Sequence, residues 1–192
     1  DKNVKVVDDF LLVLVKDFKY NNNQTSLTYF LNTVRHLLDQ GYAEGSLMES
    51  VFLIGYHFRN VSSAIHLMKT ELETANLWDD AKKMVEWYVG LDGIWDKNAL
   101  NSNMDDALTR SITRLGACLY KETDVQKVQY LKGYKLFLET YFTLRNTTGS
   151  GIKTDFSGFH HDTFYPGYSF LANNQLALVF NFLSDTNFKM NT

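Results

Sequence analysis

The sequence predicts an all-α fold of antiparallel helical hairpins, and three observations predict it. Apolar residues recur at the helical period of about 3.6 in one segment after another. Glycines and cap-forming polar residues stand where those segments begin and end. Strand-like alternation is persuasive nowhere in the 192 residues.

The elements follow in order. "FLLVLV" at 10–15 is the longest apolar run; it lies between charges and is too short to span a bilayer, so no membrane partner is expected. In "LTYFLNTVRHLLDQG" the apolar positions Leu27, Phe30, Leu31, Val34, Leu37 and Leu38 form one helix face, and Gly41 follows as a C-terminal stop. A long helical segment is expected from about Ser46 to Thr74. Asn76 precedes "LWDDAKKMVEWYVG", which carries Asp79 and Asp80 in its first turn and Gly90 at its exit. Leu108, Ile112, Leu115 and Leu119 mark another amphipathic helix. Thr123 with Gln126 reads as a capping box that opens a helix through about Leu144. "FLANNQLALVFNFL" reads as a buried closing helix. Such hairpins suit either a closed toroid or an irregular bundle.

Two stretches break the rhythm: 90–106, with Trp95 among glycines and asparagines, and 146–170. The second is longer than loops of compact domains usually are, and its aromatics argue for an ordered, ligand-facing loop.

Composition narrows the function. The chain is 45% apolar, 21% charged and 15% aromatic, as suits a globular domain or a large piece of a bigger protein. A net charge of -3 argues against a nucleic-acid partner, yet a local cation cluster can still meet a polyanion. Cys118 is alone, so neither an intrachain disulfide nor a cysteine metal site is expected. No signal peptide is visible and the chain does not begin with Met, which fits a processed protein or a fragment.

The most informative stretch is "GFHHDTFYPGYSF", 158–170, which holds the only proline of the chain, Pro166. Pro166 and Gly167 predict a tight turn that aims Tyr168 relative to His161, with Asp162 beside it. Imidazole titrates near pH 6.5 and phenol near 10, so a tyrosine base needs a nearby cation to favour phenolate. An imidazole and a phenol so held can carry proton abstraction next to a carboxylate, then elimination. Taken alone, the spacing is a weak signal that more often means two packed rings. His36, His57 and His66 fall at helical positions among apolar residues and read as structural. No histidine pair at metal-binding helical spacing, no phosphate-cradling glycine loop and no nucleophile elbow is present, so neither a metal nor another cofactor is expected.

"DFSGFHHDTFYPGYSF" resembles the catalytic stretch of the chondroitin ABC-type polysaccharide lyases, in the larger group with the chondroitin AC and hyaluronate lyases. Further agreement lies in "RHLLDQGYAEGS" at 35–46, "GY" at 55–56 with Arg59, "ANL" at 75–77 and "LSDTNF" at 183–188. The resemblance implies a piece of a helical α/α toroid, covering 1–192 as a single helical domain, with His161 and Tyr168 at the catalytic positions. It implies a glycosaminoglycan substrate of the chondroitin or dermatan sulfate type, cleaved by β-elimination to a 4,5-unsaturated uronate, and a periplasmic or secreted protein. Tyr168 would act as base and acid on glucuronate, whereas His161 would be the base on iduronate, whose C5 proton lies on the other face.

Departures from the family pattern are specific. His160 stands where arginine is common, and Asp162 where glutamate is. The chondroitin AC and hyaluronate lyases use an asparagine about fifty residues upstream to neutralise the substrate carboxylate, for which Asn103 is the nearest candidate; its other reading is a helix N-cap. A catalytic arginine, a glutamate and β-sandwich domains are expected beyond Thr192, in a part of the parent chain not included here, so the fragment alone is expected to be nearly inactive. Candidate substrate contacts are His160, Tyr165, Trp95, Asn103, Arg110 and Arg114, the two arginines also suiting an i,i+4 surface role. Two rival functions remain: a carbohydrate-binding module stacking sugars on Trp95, Tyr165 and Phe159, or an inverting glycosidase with Asp105 and Asp155 as acid and base.

Overall fold

A computed structural model of the chain describes residues 2–47, 55–96, 104–144, 146 and 149–191. The described chain is mostly α-helical, as the apolar periodicity predicts, and it divides into two compact units, Asp1–Val89 and Gly90–Thr192.

The first unit contains α1 (Lys2–Asn21), α2 (Gln24–Asp39), α3 (Arg59–Leu67), α4 (Lys69–Thr74) and α5 (Trp78–Tyr88). The predicted face of α2 is real: Phe30, Val34 and Leu37 are buried. Gly41, at φ 87°, closes that helix as expected, with Gly41 N bonded to Leu38 O and Tyr42 N to Leu37 O. This is the Schellman pattern, which needs a left-handed residue after the cap. Asn76 belongs to the same device. At φ 55° it stops α4, with Leu77 N on Leu72 O, and it is not the cap of α5. The segment expected as one helix from Ser46 to Thr74 is broken at Met68, and 48–54 lies outside the described residues. Phe58 offers α3 no side-chain cap. Asp8 serves instead, accepting from Asn60 N at 2.7 Å and Val61 N at 2.9 Å. Burial nevertheless pushes the Asp8 carboxyl above its ordinary range.

The second unit contains a 3-10 turn (Leu91–Trp95), α6 (Met104–Cys118), α7 (Asp124–Tyr141), three short strands and α8 (Pro166–Leu183). The capping box of Thr123 and Gln126 is formed in full. Tyr134 of α7 donates to Ser111 O at 2.7 Å, tying α7 to the middle of α6.

Three expectations need correction here. The stretch 146–170 is not a plain loop. It carries β1 (Gly151–Ile152), β2 (Gly158–His160) and β3 (Thr163–Phe164), an antiparallel sheet in the order β1-β2-β3. Pro166 and Gly167 do not make a tight turn; Pro166 opens α8 at its first position, where a missing N–H costs nothing. Nor is α8 buried all round, because Phe170, Leu171, Leu178 and Phe182 are exposed. Among the described residues no helix is long and apolar enough to cross a membrane.

Candidate functional site

The site is built on the β2–β3 hairpin and the first turn of α8. His160 pairs with Thr163 across the sheet, so His161 and Asp162 form a two-residue connection. Both have positive φ, 49° and 60°. That is the requirement of a type I′ turn, which matches the twist of the strands it joins and usually takes Asn-Gly. Here histidine and aspartate occupy left-handed positions that they tolerate better than most side chains. Thr163 Oγ1 donates to His160 O at 3.2 Å and closes the hairpin, and Tyr165 N donates to Gly158 O at 3.0 Å and fixes the hairpin to the helix start. Gly158 is obligatory, since a Cβ there would lie 1.3 Å from Ser169 Oγ. The lack of a side chain lets β2 lie directly against α8, one residue from Tyr168.

The result is a cluster of rings around His160. The Tyr168 ring stacks on it at 4.6 Å between centroids and 17° between planes. His161 lies 3.9 Å away on the same ring, and Tyr165 stands edge-on to Tyr168 at 4.9 Å. His160 Nε2 faces Asp105 Oδ2 at 3.3 Å, Asp105 coming from the first turn of α6. His160 is 2% exposed, whereas His161 is exposed and Tyr165 is 45% exposed. Burial lowers the His160 pKa, Asp105 pulls it back up, and His161 lowers it further. Such a cluster has an inner imidazole fixed by a carboxylate, and an imidazole and a phenol next to its faces. Proton transfer to and from a bound molecule is within its means.

Four of the sequence-predicted site residues, His160, His161, Tyr165 and Tyr168, are thus gathered together. Asp162 shares their turn. Asp105 joins them, and its part as the carboxylate facing His160 had no sequence signal beyond its place in a helix first turn. Others lie elsewhere. Trp95 is 44% exposed, stands edge-on to Tyr130 at 5.5 Å and overlies Gly133 on α7. Arg110 and Arg114 are buried: Arg110 Nη1 lies 3.2 Å from Asp106 Oδ1, and Arg114 Nη2 donates to the same oxygen at 3.0 Å. Arg114 also donates to Gly90 O at 3.3 Å. Burial lowers Arg110 to about 10, which still leaves it charged at neutral pH. Asn103 lies outside the described residues. Asp155 accepts from Ser157 Oγ and N, bonds that hold its carboxyl below the ordinary range. A glycosidase general acid needs the opposite shift. Phe159 packs on Phe164 at 6.3 Å with Lys153 over its face.

Comparison with known proteins gives one consistent result. A family model described as "Lyase, catalytic" matches residues 9–192. The chain is 29% identical over 141 residues to a chondroitin sulfate ABC exolyase of Bacteroides thetaiotaomicron, covering 73% of this chain and 14% of the relative. It is 28% identical over 166 residues to a chondroitin sulfate ABC exolyase of Proteus vulgaris, covering 85% of this chain and 17% of the relative. A chondroitin sulfate ABC endolyase of Proteus vulgaris is 28% identical over 171 residues, covering 87% and 17%. The chain therefore spans about a sixth of the length of the curated relatives it matches.

Proposed function

The chain belongs to the lyase catalytic family, and from that premise we propose that it is part of the catalytic domain of a glycosaminoglycan lyase acting on chondroitin or dermatan sulfate-type chains. The observation that carries the reading is the packing of His161 and Tyr168 around one fixed imidazole, His160. β-Elimination needs two proton carriers at fixed separation and little else from this region.

On glucuronate, the Tyr168 phenolic oxygen takes the C5 proton. The electron pair forms the 4,5 double bond, the C4–O bond breaks, and the tyrosine proton goes to the leaving oxygen. On iduronate the C5 proton lies on the opposite face, so His161 accepts it and Tyr168 protonates the leaving group. His160, held by Asp105, positions both rings and does not touch the reacting carbon. Tyr165, half-exposed beside Tyr168, supplies an apolar face for a sugar ring. Arg110 and Arg114 are committed to Asp106, so neither is assigned to neutralising the uronate carboxylate. The site works as part of a helical α/α toroid, in a protein that meets its polymer in the periplasm or outside the cell.

The test follows the ultraviolet absorbance of the unsaturated uronate as the whole protein degrades chondroitin sulfate. Tyr168→Phe is expected to lower kcat by about 10²–10⁴, the usual worth of a positioned acid or base, with folding intact by circular dichroism. Normal turnover in that variant refutes the assignment.

A further inference from the structure

We propose that Asp105, His160 and His161 form a binding site for one divalent transition-metal ion of the zinc class. Each side chain offers one ligand atom, and those atoms lie within 4.8 Å of one another. They come from places that the fold holds firmly: the first turn of α6, the end of β2 and the turn that follows. Two imidazoles and one carboxylate are a donor set that Zn²⁺ takes at about 2.0–2.2 Å, which sets tetrahedral ligand atoms about 3.4 Å apart.

His160 Nε2 and Asp105 Oδ2 stand 3.3 Å apart. This is longer than the ~2.7–2.9 Å of a charge-assisted hydrogen bond, and it suits two donors that face a shared ion. His160 is almost wholly buried, yet its Nδ1 has no hydrogen-bond partner among the described residues. His161 is the adjustable ligand. It is exposed, and its left-handed backbone turns its ring back to 3.9 Å from that of His160, so a rotation of this side chain closes the remaining gap. Three protein ligands leave a fourth position open on the His161 side, as in zinc sites that take water or an exchangeable ligand. Nitrogen donors select Zn²⁺, Co²⁺ or Cu²⁺ over Mg²⁺ and Ca²⁺, which require oxygen.

The sequence hid this grouping because its members share no helical spacing; a two-residue turn and a distant helix bring them together. The site stands independently of the lyase reading, since binding is measured without turnover. A bound ion uses the lone pair with which His161 would accept a proton, so metal loading and that proton transfer exclude each other.

The experiment strips the whole protein with a chelator and titrates it with Co²⁺, following the visible d–d absorption. The wild type is expected to bind one equivalent of Co²⁺ at this site, with bands displaced by Zn²⁺ but not by excess Mg²⁺ or Ca²⁺. Asp105→Asn and His161→Ala preserve the packed ring of His160, and circular dichroism checks their fold. Each is expected to weaken Co²⁺ binding by about tenfold or more, at least the loss that follows when a ligand's own hydrogen-bond partner is removed. Equal stoichiometry and affinity in the wild type and both variants overturn the proposal, as does displacement by Mg²⁺ or Ca²⁺.

Discussion

Asp105 and Asp106 are consecutive residues in the first turn of α6, and they face different chemistry. Residues one apart on an α-helix point about 100° from each other. Asp106 turns to Arg110 and Arg114, and Arg114 continues to the carbonyl of Gly90 and the ring of Phe137. That side is buried, and cations answer its carboxylate. Asp105 turns to His160, whose other neighbours are the rings of His161, Tyr165 and Tyr168. That side leads outward, through an exposed histidine and a half-exposed tyrosine. One direction from a single helix start meets buried cations, and the next meets the ring cluster of the candidate site.

The contrast is broken most severely at Asp106. Asp106→Ala leaves two buried guanidinium groups without their carboxylate, and removing one member of a buried ion cluster costs about 3–5 kcal/mol. Asp105→Asn, which keeps the size and polarity of the side chain at a partly exposed position, is expected to cost less. Urea unfolding of the two variants checks the order, and equal losses would erase the distinction.

A smaller effect sharpens the functional side. His161 and Asp162 hold positive φ where Asn and Gly are the preferred turn residues. The double variant His161→Asn, Asp162→Gly is expected to gain about 0.5–1 kcal/mol in unfolding free energy, because left-handed backbone strains ordinary side chains. The same variant loses the exposed imidazole, so stability rises as turnover falls. A loss of stability would mean that the turn is not strained.

The smallest effect concerns Asp8 in the first unit, a carboxylate answered by N–H groups more than by charge. Burial raises its folded-state pKa above the ordinary carboxylate value, so its contribution to folding is complete below about pH 4 and declines as pH rises through the folded value. Unfolding measured across pH should therefore show the wild type losing stability relative to Asp8→Asn between acid and neutral pH. A relative gain would reverse the sign.

The helices were legible because their signals are local and repeated. The face of α2 with Phe30, Val34 and Leu37, the stop at Gly41 and the box of Thr123 with Gln126 each follow from a few neighbouring residues. The hairpin was not legible. Strands of two or three residues are too short to show alternation, and His-Asp does not announce a type I′ turn. Pro-Gly points to a turn in isolation, yet Pro166 serves the first position of α8 because apolar residues continue at helical period behind it. The exposed residues Phe170 and Phe182 look like core in sequence, since hydrophobicity does not say which face a helix buries. Of the site, His161 and Tyr168 were readable from a motif. The roles of Asp105 and of Gly158 under Ser169 were not, because long-range packing alone creates them.

The central claim is that two different side chains take the C5 proton from two epimeric uronates, Tyr168 from glucuronate and His161 from iduronate. The most direct measurement compares His161→Ala with the wild type in the whole protein, on a substrate of glucuronate alone and on one rich in iduronate. The account predicts that turnover of the iduronate substrate falls by about 10²–10⁴ while glucuronate turnover falls far less. Equal losses on both substrates, or none on either, would contradict it.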